Sequence, residues 1–262
     1  MTRVELVKQL LRPRSLFALA ALVAVPILFA MTTTARAGHR NGTQIGLNGA
    51  LSFSALHIAA AGLQFIAPLL LALVVALLGS ALGAADRGWG TLRYLYVQPV
   101  SRARLLVGKW SALVVCCALA TALALLAATL VGLAVFGWHP FHRLGASNLS
   151  PPTALGRLLE AAGYVLACML SIGTIALTLG LLLPGPAEAL DVSVGLVVIA
   201  NILDGRGSFD VTLPVHYWHS WTGLFDVTGA KNLGVGLAIQ AATVAVALAI
   251  AWIVLTYRDP AA

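Results

Sequence analysis

The sequence predicts an all-α, polytopic integral membrane protein. The reading has six transmembrane helices, an N-terminal amphipathic helix, and a short cytoplasmic helix between spans 2 and 3. Three observations carry this reading. Of the 262 residues, 60% are hydrophobic and 10% charged, whereas a soluble domain is about 45–50% apolar and about 25% charged. Apolar runs recur along the whole chain, most of them near the roughly 20 residues that a helix needs to cross a bilayer. Basic residues gather in short segments beside those runs, as cytoplasmic edges require. Little mass remains outside the bilayer, so 1–262 is read as one membrane domain.

Residues 1–14 carry Arg3, Lys8, Arg12 and Arg14 against one acid, Glu5, with Val4, Val7 and Leu10 or Leu11 on one helical face. This predicts an amphipathic helix on the inner surface, ending near Pro13. Residues 15–31 form span 1. The competing reading is a cleavable signal, with Ala35-Arg36-Ala37 as the cleavage site; the run is taken as an uncleaved span. Residues 32–50 are rich in Gly, Thr and Asn and read as an outer loop. Span 2 covers 56–84. Pro68 is positioned to kink it, and Gly79 and Gly83 make a small-xxx-small pair suited to close helix contact. His57 and Gln64 lie seven residues apart on one face of this span. They are the candidate substrate-path residues, the alternative being a polar helix end at headgroup level.

Residues 85–109 are a charged island holding Asp86, Arg87, Arg93, Arg102, Arg104 and Lys109. Trp89, Leu92 and Leu95 or Tyr96 recur at helical spacing. Pro99 ends that first helix, and Ser101 is an N-cap for a second helix beginning at Arg102 and running into the membrane. The predicted shape is a stiff helix lying on the membrane face, joined through a tight corner to span 3 at 112–136. After an outer loop comes span 4 at 155–183, with Arg157 and Glu160 three apart near its outer end, spaced to pair. Pro184-Gly185-Pro186 forces a turn. Span 5 at 187–203 is marginal in length and starts with Glu188 and Asp191. Residues 204–232 form an outer loop with an aromatic stretch, re-entry into the membrane being the alternative for this segment, and span 6 occupies 233–255. Six spans put both termini on one side, and ten of the sixteen basic residues fall on the side assigned as cytoplasmic.

The ordered set Asp86-x-x-x-Gly90-Thr91-Leu92-Arg93, then Pro99-Val100-Ser101-Arg102, then Gly108-Lys109 resembles the inner-loop signature of type-2 ABC exporter permeases. The acid is usually Glu in that family and is Asp86 here. The six-span layout extends the resemblance over nearly the whole chain. It implies a permease subunit without its own ATPase site, driven by a separate ABC ATPase in two copies that would hold the ATP and Mg, beside a second permease subunit, as a homodimer or with a sister permease. Asp86, Trp89, Gly90, Thr91, Leu92, Arg93, Pro99, Ser101, Arg102 and Arg104 would form the ATPase interface. Trp89 and Leu92 would be its buried anchors and the arginines its charged contacts. The implied cargo is a drug, lipid or polysaccharide moved outward across a bacterial-type cell membrane. The resemblance also implies short re-entrant helices near 204–232, acting as an outer gate.

Other classes find less support. The chain has no Gly-x-x-x-x-Gly-Lys-Ser/Thr loop, no His-Glu-x-x-His and no Gly-x-Ser-x-Gly elbow. His216 and His219 are spaced for a metal on a helix, but no carboxylate or Cys completes a set nearby in sequence; no metal and no catalytic residue are assigned. The net charge of +7 is assigned to membrane lipid, not nucleic acid. The alternatives are an ABC importer permease, of whose Glu-Ala-Ala loop Glu188-Ala189-Leu190 supplies only the start, and a self-standing secondary transporter or membrane-embedded enzyme. Neither inverted repeats nor an evident intramembrane proton relay favours the last two.

Overall fold

A computed structural model describes residues 6, 12–37, 54–88, 101–141, 147–204, 213–226, 229–230 and 232–257. Among these, the regular structure is helical apart from one isolated bridge between Phe141 and Leu149. The helices are α1 (Pro13–Ala37), α2 (residues 55–88), α3 (Arg102–Phe136), α4 (Pro151–Leu182), α5 (Pro186–Leu203) and α6 (Leu233–Tyr257), with two short 3-10 turns, Pro214–Tyr217 and Ser220–Leu224, between α5 and α6. Five of them, α1 to α4 and α6, contain stretches long and apolar enough to cross a membrane.

Several boundaries differ from the sequence reading, for local reasons. Pro13 opens α1, because proline at a first helical position gives up an N–H that has no partner there anyway. Whether residues 1–11 form an amphipathic helix lies outside the described residues apart from Leu6, which is helical and packs on the core. The α1 backbone also continues past the expected end at 31 to Ala37. Helix α3 has 35 residues and measures about 52 Å at 1.5 Å per residue. That overshoots a hydrocarbon core of about 30 Å, so the helix is longer than its span. Ser101 caps it as expected, accepting from the Arg104 N–H at 3.4 Å. Pro68 does interrupt α2, where residues Ala67–Leu71 widen into a π turn, a usual consequence of a helical proline. Asn201 of α5 donates to the Pro68 carbonyl at 3.0 Å, one of the acceptors that such a turn loosens. Helix α5 is continuous, and Glu188 folds back onto the Gly185 N–H at 3.2 Å to cap it.

The helices alternate in direction. Ala55 at the start of α2 donates to the Gly137 carbonyl after α3, so α2 and α3 are antiparallel. Helices α4 and α6 run parallel, since Ser171 meets Gln240 and Thr178 donates to the Ala247 carbonyl. We call the end holding residue 88, the start of α3 and the end of α6 proximal, and the opposite end distal.

The core rests on close backbone contact between α2 and α4. A Cβ on Gly83 would lie 2.3 Å from the Leu177 carbonyl oxygen and 2.8 Å from the Gly180 Cα. One on Gly79 would lie 2.5 Å from the Gly173 oxygen. In lipid, apolar side chains gain little by choosing a helix over an acyl chain, so small residues that admit tight packing decide helix partners. A second seam joins α2 to α3, where Gly132 sits against the Ala55 backbone and Gly62 against Ala128. A prediction follows from the contrast with Gly163, around which an added Cβ meets nothing within 4 Å. Gly83→Ala should destabilise the detergent-solubilised protein by about 1–3 kcal/mol, lowering the temperature at which it leaves the monodisperse peak. Gly163→Ala should leave that temperature level or raise it.

Candidate functional site

The proximal end carries the sequence-predicted site. Ser101, Arg102 and Arg104 open α3 and are exposed. Asp86 lies in the last turn of α2, where its backbone is helical. Trp89, Gly90, Thr91, Leu92, Arg93 and Pro99 fall outside the described residues. The described part therefore consists of the two helix ends that flank residues 89–100.

Both ends are tied to neighbours by basic side chains of α3. Arg102 donates to the Leu255 carbonyl at 2.9 Å and also to the Thr256 carbonyl. These belong to the last turn of α6, whose carbonyls have no partner within the helix. A cation there also meets the negative end of the helix dipole. Arg102 thus holds the last helix, besides the ATPase contact expected of it. Beneath this tie, Leu106, Leu181, Ala251 and Leu255 form a small apolar cluster joining α3, α4 and α6.

Lys109, two turns further along α3, is 1% exposed and donates from Nζ to the Leu82 carbonyl of α2 at 2.7 Å. A buried ammonium near the membrane is costly; a carbonyl near the α2 C-terminus offsets part of that cost. Next to it, Trp110 Nε1 donates to Thr174 Oγ1 of α4 at 3.3 Å. Sequence reasoning placed Lys109 in the Gly-Lys step but gave it no role at the site. The signal was a lone lysine running into an apolar helix, whose partner lies 27 positions earlier.

The substrate-path candidates lie in α2. His57 is 2% exposed, its ring 5.2 Å from that of Phe141 at the distal end. Gln64 is half-buried two turns deeper. Neither lines the groove of about 600 Å3 between α4 and α6, whose walls include Ile175, Leu182, Ile239 and Ile250. Its two hydroxyls, Thr178 and Thr243, donate to helix carbonyls, so it presents mostly hydrocarbon. Arg157 donates to the Leu224 carbonyl at 2.7 Å rather than pairing with Glu160, because a desolvated carbonyl on a packed turn competes with a carboxylate that is free to face solvent. His216 faces Asp204, Nδ1 to Oδ1 at 3.5 Å. Desolvation holds the His219 imidazole below its ordinary pKa against the pull of Asp204, although the residue keeps an exposed edge.

These features define a multi-pass helical membrane protein whose proximal helix ends are cross-tied around one charged segment. The chain belongs to the family described as ABC-2 family transporter protein, whose sequence profile matches residues 7–206. It is therefore an ABC-type permease, a membrane transport component of a kind that works with an ABC ATPase and carries no ATPase site of its own. Comparison with curated proteins gives no significant match.

The Lys109 tie is directly testable. Lys109→Asn keeps a buried polar group at this position but is too short to reach the Leu82 carbonyl, and the unpaired amide should cost about 1–3 kcal/mol of stability. Arg104→Met, at an exposed position, should change it by less than about 0.5 kcal/mol. Thermal melts of the two purified variants in the same detergent check the difference.

Proposed function

We propose that the chain is the permease subunit of an ATP-driven exporter in a bacterial-type cell membrane. In this reading α5 is the fifth of six spans and both termini are cytoplasmic. Parallel α4 and α6 support six spans, because the chain must return from the proximal to the distal end between them. Arg102, Arg104 and Lys109 lie in the first turns of α3 at the proximal end, which supports its cytoplasmic assignment.

The observation that carries the mechanism is the pair of ties at the start of α3. Residues 85–109 dock on a separate ABC ATPase, present in two copies and holding ATP and Mg, with a second permease copy or sister permease beside this one. ATP-driven closure of the ATPases displaces the docked segment. Lys109 on α2 and Arg102 on α6 then pass that displacement to three helices together. The ATPase shifts the permease only by binding its two states with different affinity. Asp86, Trp89, Gly90, Thr91, Leu92, Arg93, Pro99, Ser101 and Arg104 are the contact set, and the cargo is of the drug, lipid or polysaccharide kind.

Purification from the native membrane should recover an ABC ATPase in stoichiometric amount. Gly90→Leu and Pro99→Ala should lower cargo-stimulated ATPase activity by about fivefold or more while membrane insertion persists. Recovery without an ATPase, or unchanged stimulation in both variants, overturns the proposal.

A further inference from the structure

Helix α2 is built in two pieces that pack on different partners. Its distal piece, Ala55–Ile66, lies mainly on α3, and its proximal piece, Ala72–Gly88, mainly on α4 and α5. Each piece is fixed by backbone contact. At the distal seam a Cβ on Gly132 would lie 2.8 Å from the Ala55 carbonyl oxygen, and the Ala55 N–H donates to the Gly137 carbonyl at 3.0 Å. At the proximal seam Gly79 and Gly83 lie against the backbone of α4. Surfaces fitted this closely move as units and do not slide. Lys109 and Trp110 tie the start of α3 to α2 and α4, so the freedom between α3 and α4 lies in their distal halves. Movement there has to be taken up in α2, between its two seams.

The α2 backbone changes at that point. The Ala67 N–H still donates four residues back, to the Leu63 carbonyl. Pro68 has no N–H to offer the carbonyl of Gln64. The chain widens into the π turn Ala67–Leu71, and the Ala72 N–H then donates to the Leu69 carbonyl, only three residues back. A helix whose bonds run unevenly over one turn bends there more easily than along a regular stretch. A bend of about 20° would carry a point two turns away by about 4 Å.

Asn201 joins this turn to α5. It is the one amide in the apolar run 197–203 and is half-buried. A polar side chain at such a depth calls for a partner. Its Nδ2 donates to the Pro68 carbonyl at 3.0 Å and to the Val197 carbonyl of its own helix at 2.9 Å. The second bond keeps the amide partnered when the first is given up, so the tie to α2 is exchangeable.

We propose that Ala67–Leu71 is a hinge across which the distal piece of α2 swings with α3 relative to α4 and α5 during transport, and that Asn201 is the residue positioning it. The proposal rests on the permease reading above, in which the ATPase drives the movement.

The experiment uses the full chain with Cys116, Cys117 and Cys168 replaced by Ala, in lipid vesicles. Spin labels replace the exposed residues Leu130 of α3 and Leu159 of α4. A control pair replaces Val192 of α5 and Ile253 of α6, both on helices that pack on α4. Pulsed electron resonance should give two distances for the 130–159 pair and one for the 192–253 pair. Asn201→Leu should raise the ratio of minor to major 130–159 distance about fivefold. Pro68→Ala should leave a single distance, and so should the double variant, because a regular turn gives Asn201 nothing to position. An Asn201→Leu change that spreads to the control pair, or that persists in the double variant, marks a merely structural residue and overturns the proposal. So does an unchanged 130–159 distribution in Asn201→Leu, which decides alone where Pro68→Ala fails to insert. With the co-purified ATPase present, ATP should alter the 130–159 pair and leave the control. A bound ATPase with no such change overturns the hinge. Recovery of no ATPase overturns the permease reading instead, and the distances in the chain alone then decide the hinge.

Discussion

The fold depends first on the approach of two backbones. Along α2 and α4, Gly79 and Gly83 meet Gly173 and Gly180, and the facing backbone leaves no room for a methyl group at positions 79, 83 and 180. Within a bilayer a leucine gains almost as much from an acyl chain as from another helix, so burial does little to choose partners. Dispersion between closely fitted surfaces does, and it falls off steeply with small gaps. This seam fixes α4 against α2, and α3 and α6 are then placed by what they can reach from there.

What they reach is mostly backbone carbonyl. Lys109 and Arg102 at the proximal end, and Arg157, Tyr164 and Gln240 at the distal end, all donate to a carbonyl of another element. Apart from that of Leu82, which lies inside α2, these are carbonyls at helix ends and in short turns, the backbone groups that regular structure leaves open, and away from water they need donors. The membrane therefore converts a handful of polar side chains into long-range ties. At the proximal end the ties join stiff helix ends, a geometry suited to passing force. At the distal end they hold two short turns with little secondary structure of their own.

Part of this was legible beforehand. Ser101 before Arg102 marked the start of α3, Pro68 marked the interruption of α2, and the Gly79/Gly83 pair marked a contact face, because each signal acts within a few residues of itself. The candidate site was legible as a segment and not as an assembly. Arg102 was identified as a surface contact, yet it also caps a helix 153 positions later. Lys109 was seen only as part of a step into a helix. Nothing in the local sequence marks Gln240, and helical spacing offers Arg157 only the neighbouring Glu160. In each case the deciding partner is a carbonyl, which every residue possesses and no sequence pattern distinguishes.

By itself, then, the sequence determined the apolar runs, their lengths and breaks, the polarity of the segments between them and the character of the 85–109 island. These are properties of consecutive residues, set by hydropathy summed over a helix length and by the local chemistry of Ser, Pro and Gly. Only the tertiary structure decided which helices lie together, which carbonyls the buried polar groups serve, and that residues 213–226 sink between α4 and α6. In lipid the apolar faces are nearly interchangeable, so those choices fall to backbone fit and to hydrogen bonds between distant positions, neither of which is written in any local stretch of the chain.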